Sequence, residues 1–321
     1  MAQKKNHVKI LVALGGNAIL KHSEKGTAEQ QKANVQATAT KLVKLVQAGY
    51  HLIVTHGNGP QVGDILLKND LSKAELPPMP LDICSAESQG MIGYMLQQSL
   101  QSELNKANIK LPVATIVSQT LVDADDPAFS NPTKPVGPFY TEAEAADLRK
   151  SKGWTILEDS GRGYRRRVPS PEPKAIIERD FVCMLYEKGV LVIASGGGGV
   201  PVVRENGSIH GVEGVIDKDR AAVLLAETVG AETLMILTDV ENAFLDYETA
   251  TPKALNRVSA REMREFLKQG QFASGSMKPK VEAAIRFIED GGKKAIITTI
   301  HNAMEALDGK SGTIVTVDGE V

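Results

Sequence analysis

The hydrophobic positions of the chain follow two alternating patterns. Continuous apolar runs, such as VKILVAL at residues 8–14, are typical of strands that are buried on both faces of a parallel sheet. Between these runs, apolar residues recur at helical spacing, as Val35, Ala39 and Val46 do before Gly49, a residue that suits a helix C-cap. This alternation predicts an α/β fold with an open, mostly parallel sheet and helices on both of its faces.

The same patterns give bounds for the individual elements. The predicted strands are residues 8–14, 50–55, 113–118, 190–195, 233–238, 294–299 and 313–317. The predicted helices are residues 35–46, 83–104, 175–188, 218–229, 260–268 and 279–289. Ser259 and Glu262 have the spacing of a capping box for the helix at 260–268, and Pro279 suits the first turn of the last helix.

Residues 119–173 interrupt this alternation. Seven of the fifteen prolines lie there, followed by a basic cluster that consists of Arg162, Arg165, Arg166 and Arg167. An ordinary loop has about four to six residues, so this segment is either disordered or a small lobe inserted in the sheet. A strand pattern at residues 154–157 favours the lobe. We therefore interpret the arginines as lobe or lid contacts rather than as a phosphate or RNA patch.

Length, charge and cysteine content exclude several classes of protein. The 321 residues suit two domains, or one large domain with an inserted lobe. Lys and Arg number 37 against 39 Asp and Glu, and this balance lacks the basic surface that nucleic acid requires. Two cysteines, Cys84 and Cys183, are too few for a disulfide framework or a four-cysteine zinc site, so we expect a reducing compartment and apolar packing of both thiols.

The N-terminus and the apolar runs bear on the compartment. The basic start and the short apolar run at 8–14 imitate a secretory signal, but seven apolar residues serve equally well as a buried strand, which we favour. No run approaches the roughly 20 apolar residues of a membrane span. We therefore expect a cytoplasmic protein without a membrane segment.

Glycine is enriched in the chain, and much of the excess lies in loops that follow predicted strands. Of the 29 glycines, nine lie in three loops that directly follow predicted strands. They are Gly15, Gly16, Gly57, Gly59, Gly63, Gly196, Gly197, Gly198 and Gly199. Ligands bind at the carboxyl edge of open α/β sheets, and glycine lets backbone N–H groups approach an anion closely. Glycine after a strand can also simply make a turn, but three such loops favour an anion-binding edge.

Familiar nucleotide and hydrolase motifs are absent. GNGPQVG at residues 57–63 spaces its glycines one residue too far apart for the dinucleotide motif. Gly309, Lys310 and Ser311 resemble the end of a Walker A loop, but position 304 is Met instead of Gly. The sequence has no GxSxG or HExxH pattern, which argues against a serine hydrolase and a zinc site. The interpretation that remains for the glycine loops is phosphate binding without a P-loop.

Several motifs together resemble the carbamate kinase family of the amino-acid kinase superfamily, in order and over essentially the whole chain. These motifs are ALGGNAI (residues 13–19), HGNGPQVG (56–63), TKPVGPFY (133–140), EDSGRGYRRRVPSP (158–171), SGGGGVPVV (195–203), VIDKDRAA (215–222), LTDV (237–240) and GSMKPKVEAA (275–284). The glycine loops and LTDV are widespread in the superfamily, whereas KPVGPFY and GRGYRR are specific to carbamate kinases. The resemblance is therefore specific to one enzyme family.

The resemblance implies a fold, an assembly and a reaction. It implies a homodimer of three-layer αβα sandwiches, each with a small protruding subdomain, and the reversible reaction of ATP with carbamate to give ADP and carbamoyl phosphate. That reaction usually makes ATP in arginine fermentation, with Mg²⁺ carried mainly by the nucleotide phosphates. Residues 1–118 would hold carbamate and the transferred phosphoryl group, residues 119–173 would be the protruding subdomain, and residues 174–321 would hold the nucleotide.

The resemblance also assigns residues, and their chemistry suits the reaction. Carbamate is already an anionic oxygen nucleophile, so phosphoryl transfer needs positioning and positive charge instead of a general base. Three motif lysines would supply that charge, namely Lys134, Lys218 and Lys280, and Asp219 would orient them. Asp217 is a second carboxylate, directed either toward magnesium or to a structural role.

Two further sets of residues are implied to bind ligands. The carbamate and phosphoryl set is Gly15, Gly16, Asn17, Gly57, Asn58 and Gly59. The nucleotide set is Gly196, Gly197, Gly198, Asp217, Thr238, Asp239, Val240, Met277 and Lys278. Lys278 is also readily explained as a solvated surface charge, and His56 as a hydrogen-bonded structural histidine.

Two departures from related patterns matter for alternative functions. Ala13 stands where the acetylglutamate kinase branch has a lysine, which favours the carbamate branch. ENAF at residues 241–244 lacks a glycine that is common after LTDV, so the nucleotide contacts there stay open. The alternatives are a kinase of another small carboxylate, such as acetylglutamate, and a non-catalytic nucleotide-binding regulator.

Overall fold

The structure is a computed structural model that describes residues 8–21, 24–159, 161, 163–247, 249, 251–273 and 275–319. Its centre is an eight-stranded sheet. In spatial order the strands are β15 (Arg257–Ser259), β17 (Thr313–Thr316), β16 (Lys294–Thr298), β12 (Thr233–Leu237), β1 (Lys9–Leu14), β2 (His51–His56), β9 (Leu191–Ile193) and β3 (Val113–Thr115). Every neighbouring pair is parallel except β16 with β17, so the mostly parallel sheet is confirmed.

Helices cover both faces of this sheet. They are α1 (Ala28–Gln47), α2 (Gly59–Ser72), α3 (Leu81–Lys106), α4 (Glu142–Lys152), α5 (Arg179–Glu187), α6 (Lys218–Val229), α7 (Ala260–Lys268), α8 (Met277–Glu289) and α9 (Ala303–Leu307). Alternate side chains of β1 enter different cores: Ile10 and Val12 pack with α1 and α3, whereas Leu11 and Ala13 pack with α5, α6 and α8. The three-layer αβα sandwich is therefore confirmed.

Two smaller sheets and a hairpin extend from the sandwich. A four-stranded sheet has the order β11 (Ser208–Gly211), β10 (Val200–Glu205), β4 (Gln119–Leu121) and β8 (Ala175–Ile176). A three-stranded sheet has the order β5 (Lys134–Tyr140), β7 (Tyr164–Val168) and β6 (Ile156–Glu158), and α4 packs on it. The hairpin pairs β13 (Phe244–Leu245) with β14 (Lys253–Ala254). Three short 3₁₀ helices lie at Gly16–Ala18, Pro127–Phe129 and Gly196–Gly198.

The prolines of the interruption therefore lie in folded structure. The strand pattern at residues 154–157 corresponds to β6, and β5, α4 and β7 complete a small lobe. Gly63 of α2 and Gly137 of β5 lie so close that a Cβ on Gly63 would lie 2.8 Å from the Gly137 Cα. The lobe is thus seated directly on α2. The division at residues 118 and 173 stays a prediction, because the four-stranded sheet joins strands from both sides of residue 173.

Some predicted elements differ from the observed ones for local reasons. The helix predicted at 175–188 is wrong at its start: residues 175–176 are β8, and α5 begins at Arg179. The strand predicted at 190–195 ends at Ile193, before Ser195 turns into the left-handed region at φ 52°. The pattern did not predict α2, α4 or α9, since α2 starts within a glycine loop, α4 is mostly polar and α9 has five residues. The capping box of Ser259 and Glu262 is confirmed.

Candidate active site

The glycine loops meet at one edge of the sheet. Because β1, β2 and β9 are parallel neighbours, the loops that follow them lie side by side at the carboxyl ends of these strands. A Cβ added at Gly57 would lie 3.3 Å from Cδ of Lys218 and 3.9 Å from the backbone nitrogen of Gly16. The first two loops therefore converge on the start of α6.

Several glycines in these loops are required by close packing. A Cβ on Gly15 would lie 2.7 Å from the carbonyl oxygen of Leu237 in β12. Gly197 has φ 64°, and its Cβ would lie 2.2 Å from Nδ2 of Asn58. Among the described residues, no atom outside the adjoining backbone lies within 4 Å of a Cβ built on Gly16 or Gly59. Only part of the glycine excess is therefore explained by packing, and Gly16 and Gly59 face open space.

The loop after β9 is buried rather than open. Gly196, Gly197 and Gly198 are all buried, and a Cβ on Gly196 would lie 2.4 Å from Nε2 of His56. These glycines contact the loop after β2, and they are absent from the lining of the cavity next to Thr238. The structure thus groups them with the predicted carbamate residues and not with the other predicted nucleotide residues.

The three predicted lysines and two predicted aspartates form one cluster. Lys134 Nζ lies 2.6 Å from Oδ2 of Asp217. Lys218 Nζ pairs with Oδ1 of Asp219, and Lys280 Nζ lies 3.6 Å from Oδ2 of the same carboxylate. Residues from the lobe, from α6 and from α8 are thereby joined across more than 140 positions of sequence. Asp219 is thus paired with two of the three lysines.

Asp217 has a structural role at the start of α6. Its Oδ1 accepts hydrogen bonds from the backbone nitrogens of Asp219 at 2.9 Å and Arg220 at 3.4 Å, so it is the N-cap of α6. Burial on its own raises the pKa of Asp217, but the ammonium of Lys134 and these N–H groups outweigh it and hold the pKa well below its usual range. Asp217 therefore stays ionised and fixes Lys134.

Lys218 and Lys280 place positive charge at the converging loops. Burial lowers the pKa of Lys218, and the neighbouring ammonium of Lys280 acts in the same direction, while Asp219 opposes both. Lys280 also donates to the carbonyl oxygen of Ser276 at 3.0 Å. Both lysine side chains are about 13–14% exposed, so little water screens them.

His56 and Asn58 are held by a buried polar network. His56 Nδ1 donates to the carbonyl oxygen of Gly57 at 3.0 Å, because a carbonyl can only accept. Burial lowers the pKa of His56 to about 4, against the weaker opposing effect of this bond. Asn58 Nδ2 donates to Ser88 Oγ at 2.7 Å. Gln89 Nε2 donates to the carbonyl oxygen of Ser118 at 3.1 Å, and Gln89 Oε1 accepts from the backbone nitrogen of Ser118 at 3.0 Å. The structural interpretation of His56 fits this geometry.

The pattern missed the role of α3 in holding the loops. Ser88 and Gln89 are fully or almost fully buried polar residues in the middle of a helix with apolar spacing. A buried polar pair on the apolar face of α3 is the signal that could have identified them. Asn17 is half-buried next to Gly16.

A cavity of about 620 Å³ adjoins the start of α8, and its lining includes Ser276, whose carbonyl oxygen accepts from Lys280 Nζ. Its lining includes Thr238, Asp239, Val240 and Met277, which were predicted to bind the nucleotide. It also includes residues that the pattern missed, namely Phe244, Asp246, Tyr247, Thr249, Gly270, Gln271, Phe272, Ala273 and Ser276. The aromatic members come from short elements with no periodic signal. The cavity has the size and mixed lining of a small-molecule site.

Other predicted residues lie outside this cavity. Lys278 Nζ lies 3.8 Å from Glu282 on the exposed side of α8, which suits a solvated charge. Of the ENAF residues, Phe244 lines the cavity, whereas Asn242 is buried and donates to the carbonyl oxygen of Leu255 at 2.9 Å. Ala13 is fully buried in the core.

The arginine cluster is occupied by contacts of the lobe. Arg165 donates to the carbonyl oxygen of Gly137 at 3.1 Å, Arg166 lies over the ring of Trp154 at 4.3 Å, and Arg167 donates to Thr133. Arg162 lies outside the described residues. These contacts agree with a lobe role for the described members of the cluster.

Two further observations concern cysteines and membranes. Cys84 is buried, and burial raises its pKa to about 11; burial also raises the pKa of Cys183. In the part of the chain that the structure describes, no helix combines the length and apolar character needed to cross a membrane.

Comparison with known proteins agrees with the fold. A model of the Amino acid kinase family matches residues 9–299. The carbamate kinase of Pyrococcus horikoshii is 53% identical over 310 residues, which cover 96% of this chain and 99% of that protein. Carbamate kinase 2 of Enterococcus faecalis is 49% identical over 311 residues, with coverage of 96% and 99%.

A solved structure extends the comparison. Carbamate kinase from Giardia lamblia bound to AMP-PNP is 46% identical with a TM-score of 0.91, and the match covers 98% of this chain and 99% of that one. The chain therefore belongs to the amino acid kinase family, and within it to the carbamate kinases. The expected family is thus confirmed.

Proposed function

We propose that this chain transfers a phosphoryl group reversibly between ATP and carbamate. The observation that carries the proposal is the cluster of Lys134, Lys218 and Lys280. Lys218 lies against Gly57 of a glycine loop, and Lys280 donates to Ser276 in the lining of the cavity. The similarity to carbamate kinases over nearly the whole chain supports the choice of carbamate. The AMP-PNP complex of the Giardia enzyme supports an adenine nucleotide as the partner.

The reaction suits a site of charges without a general base. An oxygen of carbamate attacks the γ-phosphorus of ATP, and the bond from that phosphorus to the β-bridging oxygen breaks, with no proton transferred. The transition state carries negative charge on the phosphoryl oxygens, which preorganised ammonium groups stabilise. Lys134, Lys218 and Lys280 supply these groups, and Asp217 and Asp219 hold them in place.

The loops would bind the small substrate. We assign carbamate and the transferred phosphoryl group to the loop residues Gly15, Gly16, Asn17, Gly57, Asn58 and Gly59. α2 begins at Gly59, so its first backbone N–H groups lack helical acceptors and favour an anion. Asn58 would act with its orientation fixed by Ser88. Gly196, Gly197 and Gly198 would act by allowing the loop after β9 to pack on His56 and Asn58.

The nucleotide would occupy the cavity. We assign its lining residues Thr238, Asp239, Val240 and Met277 to ATP or ADP. In this arrangement residues 1–118 carry the carbamate loops, residues 119–173 bring Lys134, and residues 174–321 hold the nucleotide. The homodimer, the cytoplasmic location and the place in arginine fermentation remain predictions from the family resemblance.

The donor set fits Mg²⁺ that arrives with the nucleotide. Among the described residues, no three His, Cys, Asp or Glu side chains lie together in a way that could hold a metal. Mg²⁺ commonly binds through substrate phosphates with one or two carboxylates, and Asp217 and Asp219 are the carboxylates at the lysine cluster. When bound, the ion neutralises charge on the phosphate oxygens.

A substrate panel tests the proposal against its alternatives. The protein is incubated with ATP, Mg²⁺ and, in turn, carbamate, acetylglutamate, acetate and bicarbonate, and ADP formation is followed. We expect turnover with carbamate and at most a small fraction of that rate with the others. Faster turnover with acetylglutamate would favour the other branch, and nucleotide binding without any turnover would favour a regulator.

A further inference from the structure

Glu172 joins the two helices that carry Lys218 and Lys280. Its Oε2 lies 3.2 Å from NH1 of Arg220 in α6, which begins at Lys218. Its Oε1 pairs with NH1 of Arg286 in α8, which carries Lys280. Glu172 itself belongs to the segment that leads out of the lobe, where Lys134 begins β5.

The two ends of the lobe are tied together at this residue. The backbone nitrogen of Glu172 donates to Oδ2 of Asp126 at 2.8 Å, and that of Lys174 donates to the carbonyl oxygen of Leu121 at 2.9 Å. β4 and β8 continue the pairing, with Leu121 opposite Ala175. The segments that enter and leave the lobe therefore form one unit, and Glu172 attaches that unit to α6 and α8.

Glu172 is the carboxylate that the two arginines of this junction share. One carboxylate holds two guanidinium groups, one on each of two helices that pack against each other. Arg286 Nε also lies 3.4 Å from Oδ2 of Asp290, and the charge of Glu227 acts to raise the pKa of Arg286. Arg220 pairs with Glu172. Loss of the Glu172 charge leaves the two arginines to repel each other across the boundary between α6 and α8.

The lysine cluster is sensitive to the spacing of these helices. Asp219 in α6 and Lys280 in α8 are 3.6 Å apart, near the upper limit for an ion pair. A displacement of about 1 Å at a reacting centre can lower a rate by about a hundredfold. In contrast, ion pairs exposed to the extent of 33–44%, as these are, contribute little to folding stability.

We propose that Glu172 is a positioning residue that sets the relative placement of Lys134, Lys218 and Lys280 from outside the site. The proposal rests on the proposed function, since it assumes that these lysines act together in phosphoryl transfer. Glu172 is not a catalytic residue, because its carboxylate pairs with two arginines and its backbone nitrogen donates to the carboxylate of Asp126.

The test compares three variants of the full-length protein. Glu172→Gln keeps the shape and removes the charge, Glu172→Asp keeps the charge on a shorter side chain, and Glu289→Gln is the matched control. Glu289 forms an equally exposed pair with Arg264 at the far end of α8. kcat and KM for ADP and carbamoyl phosphate, together with the melting temperature, are measured for each.

We expect Glu172→Gln to lower kcat by about tenfold to a hundredfold, with both KM values within threefold of the parent and a melting temperature within about 3 °C. Glu172→Asp should recover part of kcat, and Glu289→Gln should match the parent. A kcat of Glu172→Gln within twofold of the parent would overturn the proposal, and so would a control variant, Glu289→Gln, that is as slow as Glu172→Gln. So would a Glu172→Asp variant as slow as Glu172→Gln. If the parent protein itself is inactive, the proposed function fails instead.

Discussion

Lys134 offers the sharpest test of the charge cluster, through the substitution Lys134→Ala. Its ammonium is the one site charge supplied by the lobe, and Asp217 holds it at 2.6 Å. A unit charge about 4 Å from a phosphate oxygen is attracted by about 4 kcal/mol at an effective dielectric constant of 20. Because the Lys134 side chain is 32% exposed, water screens part of this attraction. We therefore expect a loss of about 3 kcal/mol, or about a hundredfold in kcat.

The same substitution should leave the protein folded. Asp217 loses its ammonium partner but keeps the hydrogen bonds from the backbone of Asp219 and Arg220. The loss of one charged hydrogen bond costs about 1–3 kcal/mol, less than the roughly 5–15 kcal/mol by which most domains are stable. The rate loss should thus appear in a protein with native secondary structure.

The assay follows ATP formed from ADP, Mg²⁺ and fresh carbamoyl phosphate, in a coupled reaction. Lys150→Ala serves as the control, since Lys150 is an exposed lysine of α4 in the same lobe. We expect Lys150→Ala to match the parent and Lys134→Arg to retain more activity than Lys134→Ala. A Lys134→Ala rate within fivefold of the parent would refute the argument that this charge acts on the transferred group.

Three further predictions concern packing and pH. The pKa of His56 is about 4 in the folded protein and about 6.5 when unfolded, so the unfolded state gains a proton first and His56 should remove about 3 kcal/mol of unfolding free energy between pH 6.5 and pH 4. Carboxylates with lowered pKa values add their own decline, so urea titrations of His56→Gln should show a decline that is smaller by about this amount, and parallel profiles would contradict it. Gly15→Ala should lose about 1–3 kcal/mol of folding stability, because its Cβ would clash with the Leu237 carbonyl oxygen, whereas Gly16→Ala should keep its stability and lose turnover. Equal melting temperatures of the two variants would be inconsistent with this packing. Burial and the neighbouring Asp290 raise the pKa of Glu227 to about 7, so the folded protein loses stability when this carboxyl ionises. Glu227→Gln should therefore gain about 1 kcal/mol of folding stability at pH 8, after allowance for screening, and none at pH 5. Thermal melts at both pH values check this, and a gain at pH 5 would count against it.

Strong periodic signals account for what the sequence could predict of the fold. The buried runs that became β1, β2, β12, β16 and β17 are long and apolar, and the helices at 218–229 and 260–268 have the observed bounds. The pattern failed where tertiary contacts decide. The chain leaves the central sheet after Thr115 because Gln89 binds Ser118, and no local feature of residues 113–118 signals that. Similarly, α4 has a capping box from Thr141 and Glu144 but too few apolar residues to reveal it.

The residues of the candidate site were likewise predictable from the sequence only in part. Motifs identified Lys134, Lys218, Lys280 and Asp219, and the fold brings them together. Asp217 directly precedes the helix predicted at 218–229, so its position suits an N-cap, but the sequence could not show that its carboxylate also holds Lys134 of the lobe. The sequence also could not show the aromatic lining from Phe244 and Tyr247 or the junction at Glu172, because these depend on distant segments that meet only in the folded chain.

The central claim is that the phosphoryl group moves directly between carbamoyl phosphate and ADP at the lysine cluster. Phosphorus NMR of the protein with ADP, Mg²⁺ and carbamoyl phosphate measures this transfer. We expect the signals of ATP to grow as that of carbamoyl phosphate declines, one for one, and this growth should nearly disappear in Lys134→Ala. Release of inorganic phosphate without ATP, at a rate that the protein does not change, would contradict it.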